Sequence, residues 1–389
     1  MMKIKLWFFA VFSIGFMVGC QQLYNVPPLA PAATPLPTGT PTNTPTRTVT
    51  PVLPTWTPTA TGTPATVNIY CNSDNTSGMP VTGKFGINNT QSIVPLCNGW
   101  VLYGDRVNNQ IVLVNVVTGV TGNTYQLSAQ PGDLAYDSVN GILYATLASA
   151  TSLAKVNLNN GQVSYINGLP YSADRLCIGP NGIVFTIVGV WASQELSIVN
   201  GAAGTVISSS PAPDVSFPVY NFSTNEFFLG VQGTSPSALY RYSFNTSTYV
   251  LTQLQSRNDV GSNGEDIAIS PDDAHLAFPV GSGNNGYVIT DFDPSDITTT
   301  YGSWNTGPYP VSADFSPNSQ QVVTTNDNDV IIYNVATHAV SKQWLGVNTG
   351  AYYQMTRARF SRGGGMVFGL DTYLYSTTQP ATIFWGLYP

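Results

Sequence analysis

Short apolar runs separated by polar turns recur along most of this chain at a nearly constant spacing. In six units a polar residue ends an apolar run and opens a turn. These residues are Asn115, Asn157, Asn200, Ser243, Asp291 and Asn334, with gaps of 42, 43, 43, 48 and 43. A period of about 40–50 residues carried by short strands predicts a β-propeller.

Residues 67–389 divide into seven units of about 46 residues, and each unit contains three readable strands. The innermost strand begins after a polar residue in all seven, and a fourth strand follows in six. The seventh unit reaches Pro389 before a fourth strand, and an unpaired edge invites aggregation. We therefore predict an all-β, seven-bladed β-propeller of four-stranded antiparallel blades, in which residues 67–91 supply the closing strand. A six- or eight-bladed ring is the alternative.

Two hairpins carry a family resemblance. Residues 330–340, VIIYNVATHAV, resemble the third-to-fourth strand hairpin of the YVTN-type, lactonase-like propeller repeat, and residues 267–273, IAISPDD, resemble its first hairpin. The family favours Asp where this chain has Asn334, and Gly where it has Asp273. The resemblance implies the propeller fold. It leaves function open, because relatives include surface proteins and sugar-lactonase-like enzymes.

The N-terminal residues predict where the protein is located in the cell. Lys3 and Lys5 precede an apolar run of 13 residues from Leu6 to Val18, the length of a signal-peptide core. The following Met17-Val18-Gly19-Cys20 resembles the bacterial lipobox. That resemblance implies a signal peptide over 1–19, a lipid on Cys20, and a membrane-anchored lipoprotein on the extracytoplasmic side, at the cell surface or facing the periplasm. An ordinary secretory signal is the alternative.

Residues 20–66 are rich in Thr and Pro. Frequent proline removes backbone donors and favours extended conformations, and few apolar side chains are present to bury. We expect a disordered, semi-rigid stalk that holds the folded domain away from the membrane, either as a plain spacer or as a glycosylated one.

Charge and cysteine content narrow the function classes. The net charge is −7 and only 8% of residues are charged, which argues against nucleic acid as a partner. Apart from Cys20, three cysteines remain. Cys71 and Cys97 flank the start of the folded domain and are the candidate disulfide in an oxidising compartment. Cys177 lies in an apolar run and reads as a buried free thiol. We expect a monomer.

Residue types that carry catalysis are scarce. His275 and His338 are the two histidines, neither has a second histidine at ligand spacing, and no nucleophile-elbow or phosphate loop is present. We therefore expect no metal, no cofactor and no catalytic residue that the sequence can name.

Topology predicts where polar residues gather. Loops before the first strands and between the second and third strands of each blade lie at the same end of the ring. A ligand site at that channel mouth is one interpretation, and turn caps are the other. The candidate residues are Asp133, Asp174, Asp214, Glu265, Asp266, Arg357, Arg106 and Trp191.

Together these features favour a binding or protein-interaction module, whose partner is a surface protein, a glycan or a small molecule. An extracytoplasmic hydrolase, lactonase or lyase acting at the channel mouth is the second hypothesis, and a structural envelope protein is the third.

Overall fold

The structure is a computed structural model. It describes residues 67–190, 193–214, 216–280, 287–350, 352–373, 376 and 378–388. The predicted signal peptide, Cys20 and the Thr/Pro-rich linker lie outside the described residues. Within the described ranges, no helix is long and apolar enough to cross a membrane.

Seven four-stranded antiparallel sheets form the blades of a closed ring. Each inner strand contacts the inner strand of the next blade, and the inner strand of the seventh contacts that of the first. The predicted seven-bladed propeller is therefore confirmed. We call the end of the ring at which inner strands begin the upper end; the second-to-third strand loops lie there too. The first-to-second and third-to-fourth turns lie at the lower end.

The first four blades take up the strands up to Arg257. Blade 1 contains β2 (Ile93–Pro95), β3 (Trp100–Asp105), β4 (Gln110–Asn115) and β5 (Thr121–Gln126). Blade 2 contains β6 (Pro131–Asp137), β7 (Ile142–Leu147), β8 (Ser152–Asn157) and β9 (Val163–Asn167). Blade 3 contains β10 (Arg175–Ile178), β11 (Ile183–Val190), β12 (Ser193–Asn200) and β13 (Thr205–Pro211), with one 3-10 turn at Pro180–Gly182. Blade 4 contains β14 (Ser216–Asn221), β15 (Glu226–Val231), β16 (Leu239–Asn245) and β17 (Val250–Arg257).

The last three blades complete the ring. Blade 5 contains β18 (Ala268–Ile269), β19 (Leu276–Pro279), β20 (Val288–Asp293) and β21 (Asp296–Asn305). Blade 6 contains β22 (Ser312–Phe315), β23 (Gln321–Thr325), β24 (Val330–Asn334) and β25 (Val340–Trp344). Blade 7 contains β26 (Tyr353–Phe360), β27 (Met366–Tyr373), β28 (Ala381–Leu387) and, as its outer strand, β1 (Thr82–Ile87).

The N-terminal strand β1 closes the ring. It pairs antiparallel with β28, from Thr82 opposite Gly386 to Ile87 opposite Ala381. The strand occupies only the last part of the segment 67–91. The chain before it, residues 67–75, crosses the lower turns of blades 2, 1 and 7, where Tyr136 Oη donates to Ile69 O at 2.8 Å. Cys71 and Cys97 are joined in a disulfide, with 6.0 Å between their Cα atoms.

The apolar core lies between neighbouring blades, where the face of one sheet packs on the face of the next. Val101 and Val112 of blade 1 pack against Phe368 and Ile383 of blade 7, and all four are buried. Side chains alternate between the two faces of a strand, and both faces are buried because each packs on a neighbouring blade. The second and third strands therefore read as nearly continuous apolar runs.

The third-to-fourth turns are built as the sequence predicts in four blades and differently in two. Asn115 Oδ1 accepts backbone N–H bonds from Val117 and Thr118, at 3.1 and 3.0 Å. In blades 4 and 5 the predicted turn residues Ser243 and Asp291 are wrong: Asn245 and Asp293 accept those bonds, two positions further along. A two-residue shift keeps the same strand face, so the apolar pattern alone does not reveal it. Asp291 is instead fully buried.

Candidate functional site at the upper end of the channel

Polar side chains on the inner strands connect each blade to the next around the channel. Asp133 Oδ2 accepts the backbone N–H of Leu176 at 3.3 Å, and Asp266 Oδ2 accepts that of Ala313 at 3.3 Å. Donor and acceptor stand 43 and 47 residues apart, one repeat of the fold. The same arrangement recurs from Ser312 Oγ to Ala358 N, at 2.9 Å. These carboxylates therefore join blades, which neither the ligand-site nor the turn-cap interpretation anticipated.

A cavity of about 230 Å³ opens inside the ring of inner strands. Its wall is mainly polar and contains both signs of charge in equal number. The lining also includes Phe217, Tyr136 and Ser92, together with apolar inner-strand residues such as Ile93 and Leu134. The charged lining residues are Asp133, Arg175, Asp266, Asp314, Arg357 and Arg359.

One half of this charged lining is committed to the fold. Arg359 Nη2 lies 3.1 Å from Asp266 Oδ2, and Arg359 Nη1 donates to the carbonyls of Ala313 and Ala358. Asp314 Oδ2 accepts the backbone N–H of Phe360 at 2.8 Å. Burial raises the pKa of Asp314 to about 6, although the Arg359 guanidinium opposes the shift. These groups hold blades 5, 6 and 7 together.

The other half consists of two arginines around one aromatic ring. The guanidinium carbons of Arg175 and Arg357 lie 4.7 and 5.7 Å from the centroid of Phe217. Arg357 is 9% exposed, and its nearest charged atom among the described residues is Asp266 Oδ2 at 3.8 Å. Burial lowers the pKa of Arg357, and Asp266 opposes that shift. Arg175 Nη1 donates to the carbonyl of Asp174, and its buried Nε has no partner in the described part of the chain.

Glu265 adds a titratable group beside these arginines. Its carboxylate accepts a hydrogen bond from Asn263 Nδ2. Burial raises the pKa of Glu265 to about 7, and the positive charges of Arg357 and Arg175 oppose the shift. Part of the Glu265 population is therefore protonated near neutral pH.

The structure brings some of the predicted mouth residues together and separates others. Asp133, Asp266 and Arg357 line the cavity, and Glu265 interacts electrostatically with Arg357. Asp174, Asp214 and Arg106 do not line it: Asp174 is exposed, and Asp214 accepts a hydrogen bond from Gln194 Nε2 at 3.2 Å. Trp191 lies outside the described residues.

The cavity residues that the sequence prediction missed include Arg175, Phe217, Asp314 and Arg359. Arg175 directly follows Asp174, which had been selected as the residue that starts the strand. The strand β10 begins at Arg175, so the predicted strand start is one residue too early and Asp174 lies exposed just outside the strand. Alignment of the inner strands on their apolar residues, rather than on their first polar one, places Arg175 level with Asp133, Asp266 and Arg357.

A second cavity, of about 530 Å³, lies at the upper end between blades 6 and 7. Tyr352 and Tyr353 form its aromatic part, and both rings pack against Tyr373. Its polar part includes Asp327, whose Oδ1 accepts a hydrogen bond from Gln354 Nε2 at 2.9 Å. The upper end of the ring therefore offers polar and aromatic groups beyond the channel.

Metal-ligand chemistry finds no support in the described ranges, where no group of three or more His, Cys, Asp or Glu side chains is arranged to hold an ion. The two histidines share one buried carboxylate instead. His275 Nδ1 and His338 Nε2 lie 3.0 and 3.1 Å from Asp291 Oδ2, across the boundary between blades 5 and 6. Both histidine side chains are partly buried, and the Asp291 side chain is fully buried.

Comparison with known proteins supports the architecture. No protein-family model matches this chain, and no curated protein matches it. Among solved structures, the chain is similar to the WD40 β-propeller domain of Doa1, with a TM-score of 0.59. The match covers 79% of this chain and 95% of that chain at 13% sequence identity, and likeness at such low identity shows the fold alone. The protein is a seven-bladed β-propeller, a fold that often acts as an interaction module.

Proposed function

We propose that this protein is an extracytoplasmic binding module, a YVTN-type propeller anchored to a bacterial membrane through a lipid on Cys20, which takes its ligand at the upper end of the ring. The observation that carries the binding site is Arg357, a charged side chain nine-tenths buried beside a cavity and 3.8 Å from its nearest charged partner. A buried charge is costly unless it is paired and hydrogen-bonded. A ligand group in the cavity supplies that pairing.

The second cavity supports a ligand that extends beyond the channel. Exposed tyrosine beside amide and carboxylate groups is a surface suited to recognition, because aromatic rings offer contact area at low conformational cost. The channel cavity reaches from Arg357, near the start of an inner strand, to Tyr136, near the lower turns, and the second cavity lies at the upper end. The partner classes that this surface fits are those proposed from the sequence: a surface protein, a glycan or a small molecule.

Binding is tested with the mature protein and a library of peptides, oligosaccharides and small metabolites, read as a shift of the melting temperature. We expect at least one compound to stabilise the wild-type protein and to lose its effect in Arg357→Gln. Asp272→Asn is the matched control, because Asp272 lies in a lower turn of blade 5 and bonds to Ser270 and Ser319. Compounds that shift both variants like the wild type contradict a site at the channel.

The anchor is tested separately. Wild-type protein is expected to partition into detergent, and Cys20→Ala is expected to release it or to stall its processing. Unmodified wild-type protein in the culture medium, cleaved at another position, refutes the lipid anchor while leaving the binding site untouched.

A hydrolase or lyase remains the second candidate function, because Glu265 has its pKa raised to about 7 next to two arginines, and such a carboxyl is suited to general acid–base work. Turnover of a lactone panel that is abolished in Glu265→Gln supports this candidate. Absence of turnover with ligands that do bind favours the binding module.

A further inference from the structure

We infer that the ligand presents a carboxylate to the channel, held between the guanidinium groups of Arg175 and Arg357 against the ring of Phe217. This inference rests on the proposed binding function and names the chemistry of its ligand at that site. It is based on a difference between the three cavity arginines in how many of their N–H donors are already hydrogen-bonded.

The three guanidinium groups differ in how many of their donors are already engaged. Arg359 directs its donors at two carbonyls and at Asp266. Arg175 makes one bond to a carbonyl and leaves a buried Nε without a partner in the described ranges. Arg357 reaches Asp266 only at 3.8 Å, beyond hydrogen-bond distance. Each guanidinium carries five N–H donors, so Arg175 and Arg357 keep donors available for a ligand.

The carboxylates near the cavity do not satisfy the unbonded N–H donors of Arg175 and Arg357. Asp133 accepts the N–H of Leu176, and Asp266 accepts those of Ala313 and of its own neighbour Ile267 as well as Arg359. Glu265 is bonded to Asn263 and is partly protonated at neutral pH. Among the described residues, none of these carboxylates makes a hydrogen bond to Arg175 or Arg357, so the donors of both guanidinium groups stay open to a ligand.

The size and charge of the cavity favour a monoanion with a small body. One water occupies about 30 Å³ in the liquid, so about 230 Å³ holds a carboxylate with a few attached carbon atoms or one small ring. Three carboxyl groups also line the wall. A phosphate dianion meets more repulsion from them than a carboxylate does. Phe217 offers a flat apolar surface to the body of the ligand.

Protonation of Glu265 modulates this site. The groups that face Glu265 are Asn263, Arg357, Arg175 and Asp266. A carboxylate ligand keeps its charge between pH 6 and pH 8, since free carboxyl groups titrate near pH 4. Glu265 loses its negative charge as the pH falls through about 7. Ligand affinity therefore rises as the pH falls from 8 to 6.

Calorimetric titration of the mature protein tests the inference with matched probes. Benzoate and benzamide share a body and differ in charge, and N-acetylphenylalanine and its amide repeat that comparison for a peptide carboxyl terminus. We expect both acids to bind and both amides to bind at least tenfold more weakly. Preference for benzoate indicates a free small acid as the natural ligand, and preference for the acetylated amino acid indicates a peptide terminus.

Substitutions test whether Arg175 and Arg357 hold the carboxylate of the ligand. Arg175→Gln and Arg357→Gln are each expected to weaken binding of the acids at least tenfold, with Arg175→Lys retaining part of it because the charge remains. Arg257→Gln is the control, because Arg257 bonds to Asp259 and to blade 5 carbonyls away from the cavity. In Glu265→Gln the rise of affinity between pH 8 and pH 7 is expected to disappear, while Asp314, whose pKa is about 6, contributes only at lower pH. Melting of each variant without ligand verifies that it is folded.

Three results overturn the inference. Amides that bind as well as acids indicate an apolar pocket, and inorganic phosphate that binds more tightly than benzoate indicates a different anion. Acids whose affinity is unchanged in both arginine variants bind elsewhere. In each case the proposed function stands if the library yields a ligand that Arg357→Gln abolishes. Failure of every probe and every library compound overturns both.

Discussion

The boundary between blades 7 and 1 is constructed differently from the other blade boundaries. Elsewhere, neighbouring blades are joined by bonds between residues about one repeat apart, such as the 46 residues from Ser312 to Ala358. At the closing boundary, Asp74 accepts bonds from Ser361 and Gly365, which lie 287 and 291 residues away, and from Asn98. A repeat supplies its own contacts to the next blade, whereas a closed ring needs one segment that breaks the repeat.

The closing segment is fitted to one lower turn. A Cβ atom on Gly363 would lie 2.3 Å from the backbone nitrogen of Asp74, so no larger residue fits while Asp74 stays in place. Arg362 Nε donates to the carbonyl of Cys71 at 3.1 Å, and the disulfide then ties Cys71 to blade 1. Contacts of such long sequence separation pay a large loop-closure entropy before they form.

The largest effect is expected from removing this segment. Protein that starts at Ser92 lacks β1, Asp74 and Cys71, and we expect it to lose cooperative melting or to aggregate through the exposed edge of β28. Protein that starts at Ala65 keeps every described residue and serves as the control, which we expect to melt like protein that starts at Cys20. Equal melting of all three refutes the distinction between the boundaries.

Removal of the disulfide is expected to be the next largest change. Cys71→Ser with Cys97→Ser opens a loop between residues 26 positions apart, which by loop-closure entropy is worth roughly 3–4 kcal/mol of the free energy of unfolding. Urea unfolding of the double variant measures it, and the wild-type protein under reducing conditions should give the same loss. A loss below about 1 kcal/mol means that Asp74 and β1 hold the boundary without the covalent link.

Single side chains compare the two kinds of boundary directly. Asp74→Ala removes the acceptor of three bonds at the closing boundary, and we expect it to cost about 3 kcal/mol. Ser312→Ala removes the acceptor of the Ala358 N–H between blades 6 and 7 and the partner of Thr325 Oγ1 within blade 6, at an expected cost of about 2 kcal/mol. Chemical denaturation of both variants decides the order. A greater loss from Ser312→Ala reverses the comparison.

The smallest effect concerns the histidines between blades 5 and 6. The hydrogen bond to Asp291 raises the pKa of His275 above its unfolded value near 6.5, so protonated His275 is bound more strongly in the folded state. Its stabilisation is fully present below about pH 6.5 and is lost as the pH rises through the higher folded-state pKa. The difference in melting temperature between the wild type and His275→Gln should therefore shrink between pH 6 and pH 9. A difference that is constant with pH contradicts this.

Local pattern predicted the architecture because each blade is specified by its own residues. Apolar runs and turn residues such as Asn115 and Asn334 act within a few positions of themselves, and the lack of a fourth strand in the last unit pointed to β1. The prediction of turn residues failed where two positions in the same strand fit the local pattern equally well. Ser243 and Asn245 lie on the same face of β16, and only the observed turn distinguishes them.

The candidate site was harder to predict than the fold because it is assembled from residues of all seven blades. Asp133, Asp266 and Arg357 were identified from their place at the start of an inner strand. Arg175 and Phe217 required the exact start of each inner strand, because a shift along the strand changes which residues reach the cavity. Pairing across the cavity, such as Arg359 with Asp266 at 3.1 Å, has no signal in the sequence.

The sequence by itself therefore determined the repeat and the need for a closing strand and favoured seven blades, because those follow from short-range hydrophobic periodicity and turn chemistry. Only the tertiary structure decided which arginines have their N–H donors bonded within the fold and which keep donors available for a ligand. That distinction depends on contacts such as those of Arg359 with Ala313 and Asp266, 46 and 93 positions away, which are set by how seven sheets pack around one axis.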